Sequence, residues 1–320
     1  LSHVRITENQ AVFGGGMFNE SSSPHLEQVT FSHNTADTGG GVMAASGSHL
    51  YLTNVIIENN ESVLGGGGLY SNGSVTDMYH VTIRGNHAGG IGGGGIYSQG
   101  DLTLEDVVIQ GNSVAGNNSL GGGMSITGNV TLKMTRVNLE GNEAGFGGGL
   151  FVSNGSAGTT LTNVLISGNK AGGNGGGMIL ASSSTLTNVT ISGNTAGGNG
   201  GGVIVLGSGS AVLRNSILWG NSASTQNVSN VAGPNFHFVN SLVEGSGGSG
   251  DGWNTAFGTD GGGNLDANPA FVDARSASEA PTSAGDYRLT DGSPAVDAGD
   301  DSVFESGATP DLTAVTADLA

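Results

Sequence analysis

The sequence predicts an all-β solenoid, and two observations predict it: a phrase that repeats along most of the chain, and apolar residues spaced as in short strands. The phrase is Val-x-Ile-x-x-Asn followed by a glycine run, as in Val189–Asn194 with the run that ends at Gly202. Its closing asparagines are 25 to 30 residues apart, and self-similarity at such a period indicates a repeat architecture. Glycine and β-branched residues form helices poorly, so each repeat is expected to consist of strands.

Each repeat is expected to contain three short strands and one corner. Val189 and Ile191 lie two residues apart and so share one face of a strand. Leu186 lies three residues before Val189, a spacing that a straight strand cannot place on one face, so the chain must bend at Asn188, a residue type that tolerates left-handed backbone. Stacked about 4.8 Å apart, such units bury continuous aliphatic columns. We therefore predict a right-handed parallel β-helix solenoid of about nine coils of ~26 residues, with an irregular C-terminal cap.

The repeating asparagine is expected to form a ladder, in which each side-chain amide bonds its counterpart in the next coil. The predicted ladder consists of Asn34, Asn60, Asn86, Asn112, Asn142, Asn169 and Asn194.

A column of large residues after the glycine runs is predicted to form a contact surface. The first residue after each run should point inward, so the second should point outward. In five coils that second residue is Phe18, Met43, Tyr70, Tyr97 or Phe151. A solvent-facing stripe of this kind is unexpected in a monomer and suits stacking of sugar rings or contact with a partner protein. The alternatives of a different register, or of a stripe covered by sequence outside this chain, stay open.

The pattern fades after Asn221, which divides the chain into a repeat array over 1–221 and a capping region over 222–320. Residues 244–320 contain fourteen of the 26 acidic residues. This tail is expected to cover the last coil, because the final strands would otherwise form an open edge. Its aromatic residues are Trp253, Phe257, Phe271, Tyr287 and Phe304.

Composition excludes several classes of function. The net charge is −18 with only eight Lys and Arg, so nucleic acid is not an expected partner. No apolar run approaches the length needed to span a membrane. The absence of cysteine and the abundance of Asn, Thr, Ser and Gly suggest an extracellular protein of the bacterial cell surface.

No catalytic residue is assigned from the sequence. In the outward column after the corner, Glu58 and Arg84 are predicted to form a cross-strand ion pair, while Gln110 separates Arg84 from Glu140. No pair of carboxylates is spaced for general acid and base chemistry.

Metal binding is weighed at two places. His3 and His80 occupy the position of Asn188 in other coils, so they are interpreted as corner residues. In the tail, Asp297, Asp300 and Asp301 can supply oxygen ligands for calcium, with an acidic solvated turn as the competing interpretation. No other cofactor is expected.

Two bacterial families resemble parts of the chain. Phe31-Ser32-His33-Asn34 and the glycine runs followed by aliphatic residues are similar to the FxxN and GGA[ILV] repeats of chlamydial polymorphic outer membrane proteins, with Gly in place of Ala. Residues 213–320 resemble the end of bacterial right-handed β-helix repeat proteins of the choice-of-anchor Q type. The segments that carry this likeness are Asn215–Asn221, Asn268–Asp273, Asp286–Leu289 and Gly292–Gly299. The second resemblance implies export and surface attachment, and no particular ligand. In that family a further segment follows, so a chain that stops at Ala317–Ala320 is expected to be a piece of a longer protein.

Three functional hypotheses follow. The leading one is a non-enzymatic structural or adhesive rod of a secreted bacterial surface protein, with glycans or surface proteins as partners. The second is a polysaccharide-active β-helix enzyme, a lyase, hydrolase or epimerase, whose catalytic cluster is not visible in one dimension. The third is self-association into an extracellular filament.

Overall fold

The computed structural model describes residues 1–90, 92–156, 158–224, 230–233 and 235–305. The first half of the described chain contains strands β1 (Ser2–Thr7), β2 (Gln10–Phe13), β3 (Met17–Glu20), β4 (His25–Ser32), β5 (Thr35–Thr38), β6 (Val42–Ala45), β7 (His49–Thr53), β8 (Ile56–Glu58), β9 (Glu61–Gly65), β10 (Leu69–Asn72), β11 (Val75–Tyr79), β12 (Thr82–Arg84), β13 (His87–Ala88), β14 (Ile96–Ser98), β15 (Leu102–Gln110), β16 (Ser113–Val114), β17 (Met124–Ile126) and β18 (Thr131–Glu140).

The second half contains β19 (Glu143–Ala144), β20 (Leu150–Val152), β21 (Gly158–Ser167), β22 (Lys170–Ala171), β23 (Met178–Leu180), β24 (Ser184–Ser192), β25 (Thr195–Ala196), β26 (Val203–Val205), β27 (Ala211–Arg214), β28 (Ile217–Trp219), β29 (Ser222–Ala223), β30 (Val231–Ala232), β31 (Phe236–Val239), β32 (Leu242–Val243), β33 (Thr259–Asp260), β34 (Phe271–Asp273) and β35 (Asp286–Leu289). Short 3₁₀ helices span Thr255–Phe257, Ala277–Glu279 and Asp301–Phe304.

Three parallel sheets run along the stack. Each coil contributes to sheet A, then to sheet B and then to sheet C. Sheet B contains nine strands from β2 to β29, and sheet C contains nine strands from β3 to β30. Sheet A has fifteen strands and continues through β31 and β32 to β33. The described residues therefore form nine complete coils and continue into a tenth, which confirms the predicted parallel β-helix.

The core is one continuous column of aliphatic side chains inside the coils. The first residue after each glycine run points inward as predicted, and from Val42 to Val203 these residues have no exposed surface. They meet the Val-x-Ile pairs, such as Val189 and Ile191, which are also fully buried. No single coil has enough apolar residues to form a core by itself. The hydrophobic stabilisation therefore comes from the stacking of coils.

The predicted corner is present in sheet A of successive coils. Positive φ values between 50° and 55° occur at Asn54, Asn163, Asn188 and Asn215. His80 stands at the same position with φ 54°, which confirms its interpretation as a corner residue. The asparagines occur there because a short polar side chain tolerates left-handed backbone at low cost.

The asparagine ladder is confirmed and is buried along its whole length. Asn60 Nδ2 donates to Asn86 Oδ1 at 3.0 Å, and it also donates to the carbonyl oxygen of Phe31. The backbone N–H of Asn34 donates to Asn60 Oδ1 at 2.9 Å. The same pattern links the other ladder members, Asn112, Asn142, Asn169 and Asn194, and continues to Asn221.

The glycine runs exist because the ladder leaves no space for side chains beside it. A Cβ built on Gly68 would lie 2.7 Å from the carbonyl oxygen of Gly95 and 3.1 Å from Asn86 Nδ2. Gly66, two residues earlier, has φ 63°, which a residue with a Cβ adopts only with strain. The run therefore turns the chain and lets successive backbones approach closely.

The region after residue 221 divides into two parts with different places in the fold. Up to Asp260, its strands pair in parallel with the array. At this end Phe257 is buried, and Trp253 packs on Phe238 with ring centroids 5.8 Å apart. Residues 268–305, here called the strap, instead run back along the outside of sheet A.

The strap is held to the side of the solenoid by hydrogen bonds from several coils. The Thr282 N–H donates to the Gly168 carbonyl oxygen at 2.9 Å. Asn215 Nδ2 donates to the Asp300 carbonyl oxygen, and the Asp300 N–H donates to Asn215 Oδ1, both at 3.0 Å. The expectation that the whole aromatic tail covers the last coil is therefore wrong for Phe271 and Tyr287, which lie on the strap in the hairpin of β34 and β35. The predicted end of the piece at Ala317–Ala320 lies outside the described residues.

Candidate functional site

The predicted apolar stripe is partly covered, so the expectation that it faces solvent is wrong for Met43 and Tyr97. Phe18 is 46% exposed, but Met43 and Tyr97 are 8% and 7% exposed. Tyr70 and Phe151 are half-buried. Tyr70 and Tyr97 stack on each other with ring centroids 4.9 Å apart. That these five residues contact a ligand or a partner stays a prediction.

The cover comes from the segments that join sheet B to sheet C. These segments pair with one another from coil to coil, as in the bridge between Gly65 and Gly92. A Cβ on Gly65 would lie 3.9 Å from the Tyr70 ring and 4.0 Å from the Tyr97 ring. The alternation of inward and outward residues was therefore predicted correctly, but the outer face of sheet C is a second packed layer. Burial of the Tyr70 hydroxyl, with a smaller contribution from Tyr97, raises its pKa.

The predicted calcium ligands lie beside a polar cleft between the strap and the corner asparagines. Asp297 and Asp301 line this cleft of about 300 Å³ together with Asn215, Asn240 and Arg288. Asp300 instead caps the 3₁₀ helix at Asp301–Phe304, and the hydrogen bonds from Ser302 lower the pKa of its carboxyl.

Within the residues described, no group of three or more His, Cys, Asp and Glu side chains is arranged to hold a metal ion. Calcium binding at Asp297, Asp300 and Asp301 stays a prediction.

A cluster that sequence reasoning missed lies on the outer face of sheet A in the second to fourth coils. We call it the tyrosine-histidine patch: His25, His49, Tyr51, Asp77 and Tyr79. His25, Tyr51 and Asp77 pair in register on adjacent strands, so they form one row across the stack. His49 and Tyr79 lie on the same outer face of β7 and β11, two residues from the row.

The patch is ordered by stacking and by a short hydrogen-bonded chain. The Tyr51 ring stacks between those of His25 and His49, with centroids 4.2 Å and 3.9 Å away. His49 Nε2 lies 2.8 Å from Asp77 Oδ2, and the Tyr51 hydroxyl lies 2.9 Å from His49 Nδ1. A neutral imidazole that donates to the carboxylate accepts from the phenol, so the chain satisfies all three groups.

Tyr79 and His25 provide the open part of this surface. Tyr79 is 37% exposed, and His25 is also exposed. Partial burial raises the pKa of the Tyr79 hydroxyl, and the nearby carboxylates of Asp77 and Glu105 raise it further. The patch therefore combines the exposed rings of Tyr79 and His25 with negative charge.

A charged cluster adjoins the patch along the corner column. Arg136 Nε donates to Asp106 Oδ1 at 2.7 Å, and Arg136 also pairs with Glu105. These hydrogen bonds lower the pKa of Asp106 and raise that of Arg136. His80 Nδ1 lies 3.8 Å from Asp106. One coil earlier, Glu58 and Arg84 form the predicted ion pair at 2.6 Å.

A signal for the patch was available in the sequence. His25, Tyr51 and Asp77 are each 26 residues apart, the period of the repeat in this part of the chain. They occupy the strand before the corner, whereas Glu58 and Arg84 occupy the strand after it. At this period, the outward residues of the strand before the corner form a row of two aromatic rings and a carboxylate.

The outward column after the corner is covered by the strap in the middle of the solenoid. Glu58, Arg84, Gln110, Glu140 and Ser167 follow one another in register along it. The strap reaches this column where Gln110 Nε2 donates to Ser283 Oγ at 2.6 Å. Burial raises the pKa of Glu140. This carboxyl is thus more enclosed than Arg84, which lies on the same column with its side chain 54% exposed.

Comparison with known proteins identifies the fold family. Among the described residues, no helix is long and apolar enough to cross a membrane. Searches of curated proteins and of solved structures found no match. The family profile described as "Right handed beta helix region" matches residues 1–173, more than half of the chain. The chain therefore belongs to the right-handed β-helix family.

Proposed function

We propose that this protein is a non-enzymatic rod that binds glycans through the tyrosine-histidine patch. The observation that carries the proposal is the row of His25, Tyr51 and Asp77, with Tyr79 exposed beside it. Stacked coils make a stiff scaffold, and a site built on strands is held more firmly than one on loops.

The chemistry of the patch suits a sugar chain. Exposed aromatic rings offer flat apolar faces on which the C–H faces of pyranose rings pack, while their polar ends and the neighbouring carboxylate bond hydroxyl groups. Adjacent strands lie about 4.8 Å apart, a spacing comparable to the width of one hexose ring. An extended oligosaccharide lying across the strands would therefore meet a new set of side chains at each sugar.

The ion pairs on this face favour binding over catalysis. Arg136 lowers the pKa of Asp106, and Glu58 is paired with Arg84 at 2.6 Å. A general acid needs a carboxyl that keeps its proton near neutral pH. Glu140 has a raised pKa, but it lies on the column that the strap covers.

We also propose that the protein is exported and acts at a bacterial cell surface. The support is compositional, since the chain has no cysteine and a net charge of −18, together with the likeness of residues 213–320 to surface-attached repeat proteins. Self-association into filaments stays a prediction, which sedimentation of the concentrated protein tests.

The binding proposal is tested with the intact chain and immobilised neutral, amino-bearing and acidic oligosaccharides. We expect binding to at least one class, and Tyr79→Ala and His25→Ala should each weaken it about tenfold. The matched control is Thr185→Ala, since Thr185 lies four coils further along the outward column of Tyr51 and Asp77.

Two results would overturn this function. One is an absence of binding to every class of oligosaccharide. The other is binding that Tyr79→Ala, His25→Ala and Thr185→Ala all leave unchanged. The appearance of new reducing ends or of double-bond absorbance during incubation would reject the non-enzymatic part and establish the polysaccharide-active alternative.

A further inference from the structure

We infer that the tyrosine-histidine patch selects amino-bearing glycans, with a sugar ammonium group held between Asp77, Tyr79 and Glu105. The inference rests on the proposed glycan binding and names the class of glycan. It follows from three features of the surface: the position of one exposed ring, the balance of charge around it, and the engagement of the neighbouring arginines.

The first feature is the placement of Tyr79 between two carboxylates. Tyr79 pairs in register with Glu105 on the next strand, about 4.8 Å away. Asp77 lies two residues earlier on the same strand and on the same outer face, about 6.6 Å along it. An ammonium group over the face of the Tyr79 ring therefore lies within reach of both carboxylates. Aromatic faces and carboxylates together are the groups that bind an organic cation.

The second feature is an excess of negative charge around the ring. Glu27 lies in the same row as Tyr79, two strands away, and is exposed. With Asp77, Glu105 and Asp106, it places four carboxylates on the strands around Tyr79, three of which bond His49 or Arg136. The raised pKa of Tyr79 reports the same field, because Asp77 and Glu105 both add to the effect of burial. Such a surface attracts a cationic ligand and repels a polyuronate or a sulfated glycan.

The third feature is that the nearby arginines already have partners. Arg136 is only 18% exposed and bonds both Glu105 and Asp106. Arg84 is bound to Glu58. A glycan carboxylate would have to displace these pairs before it gained a cation. Asp77 already bonds His49 and Glu105 already bonds Arg136, but a carboxylate has about four acceptor positions, so an ammonium can bond both without displacing either partner.

The experiment compares three oligosaccharides of equal length with the intact chain by calorimetry in a neutral buffer. The ligands are an oligomer of glucosamine, its fully N-acetylated counterpart and an oligogalacturonate. We expect the glucosamine oligomer to bind at least about tenfold more tightly than the N-acetylated one, and the oligogalacturonate to bind least. The preference should shrink as salt concentration rises.

Variants assign the preference to the patch. Glu105→Gln and Asp77→Asn should each reduce the preference for the free amine several-fold, with less effect on the N-acetylated oligomer. The control is Glu143→Gln on sheet B, whose carboxylate is paired with Lys170 away from the patch. Circular dichroism and thermal unfolding establish that each variant keeps the solenoid.

The outcomes separate the two proposals. Equal affinity for the amine and its N-acetylated counterpart, or tighter binding of the oligogalacturonate, overturns the inference and leaves glycan binding in place. A preference that survives both Glu105→Gln and Asp77→Asn also overturns it. Failure of all three ligands to bind overturns the inference, and the neutral oligosaccharides of the broader screen then decide whether glycan binding itself stands.

Discussion

Asn86 and Asn112, one coil apart, are joined by a hydrogen bond from Asn86 Nδ2 to Asn112 Oδ1 at 3.0 Å. The same Nδ2 donates to the carbonyl oxygen of Ile57 at 2.9 Å. Asn86 Oδ1 accepts from both the backbone N–H and the Nδ2 of Asn60. One side chain that donates and accepts thus ties each coil to the coils on both sides.

Replacement of a ladder asparagine should therefore destabilise the whole stack. Asn86→Ala leaves two buried donors of Asn60 and the buried Asn112 Oδ1 with fewer partners, and each buried group left unsatisfied costs roughly 1–3 kcal/mol. Asn86→Asp should be at least as harmful, because a carboxylate cannot donate to Asn112 or Ile57. Urea unfolding measures both losses.

The control for the ladder is Asn118→Ala in the exposed loop of the same coil as Asn112. It should change the free energy of unfolding by no more than about 0.5 kcal/mol. Equal stability of Asn86→Ala and Asn118→Ala would show that the ladder does not contribute as its geometry indicates.

Close backbone approach at the glycine runs gives a second prediction. In Gly68→Ala the new Cβ lies 2.7 Å from the Gly95 carbonyl oxygen, so coils must separate and about 1–3 kcal/mol of stability should be lost. Gly172→Ala is the matched control, because Gly172 is exposed, has no positive φ and has nothing within 4 Å of its Cβ. Comparable melting temperatures for the two variants would contradict this explanation of the run.

The sequence was sufficient for the fold because its pattern and the packing have the same period. Asn60, Asn86 and Asn112 recur at the repeat spacing and become vertical neighbours. The corner at Asn188 followed from a break in apolar alternation and appears as a residue with φ 55°. Both are local rules repeated in each coil, so one repeat contains the information for all.

The features that the sequence did not reveal depend on contacts between residues that are not related by the repeat period. Asn215 and Asp300 are 85 residues apart and bond each other only because the strap turns back along sheet A. The burial of Tyr97 likewise depends on the path of the segment between sheets B and C. Tyr51 and Asp77 are related by the repeat period. Because one is an aromatic ring and the other a carboxylate, the sequence does not show at a glance that they occupy the same position in successive coils.

The Asp106 ion pair gives stability a pH dependence in acid. Arg136 holds the pKa of Asp106 below its ordinary value in the folded protein, so the pair stabilises the fold above the unfolded pKa of Asp. This contribution is lost as pH falls through the depressed folded value. Arg136→Met should lower the melting temperature at neutral pH and flatten its fall in acid.

The matched control for this pair is Lys170→Met, which removes the partner of Glu143; the Lys170 side chain is 41% exposed, against 18% for Arg136. Its effect should be smaller, because exposed ion pairs contribute little. A melting curve of Arg136→Met that keeps the full acid dependence of the unchanged protein would show that Asp106 is not its source.

Glu140, which lies beside the strap, gives the stability of the fold a pH dependence of the opposite sign. Burial raises the pKa of Glu140 in the folded protein, because the folded state favours the uncharged carboxyl. The free energy of unfolding therefore declines as pH rises from the pKa of the unfolded state through that of the folded state. Glu140→Gln should match the unchanged protein in acid and exceed it in melting temperature at neutral pH. The Thr282 amide, which bonds the Gly168 carbonyl oxygen, should then exchange its hydrogen more slowly. The control Glu143→Gln changes an exposed side chain and should show neither effect. A Glu140→Gln protein that is less stable than the unchanged protein at neutral pH would disprove that the buried charge of Glu140 destabilises the fold.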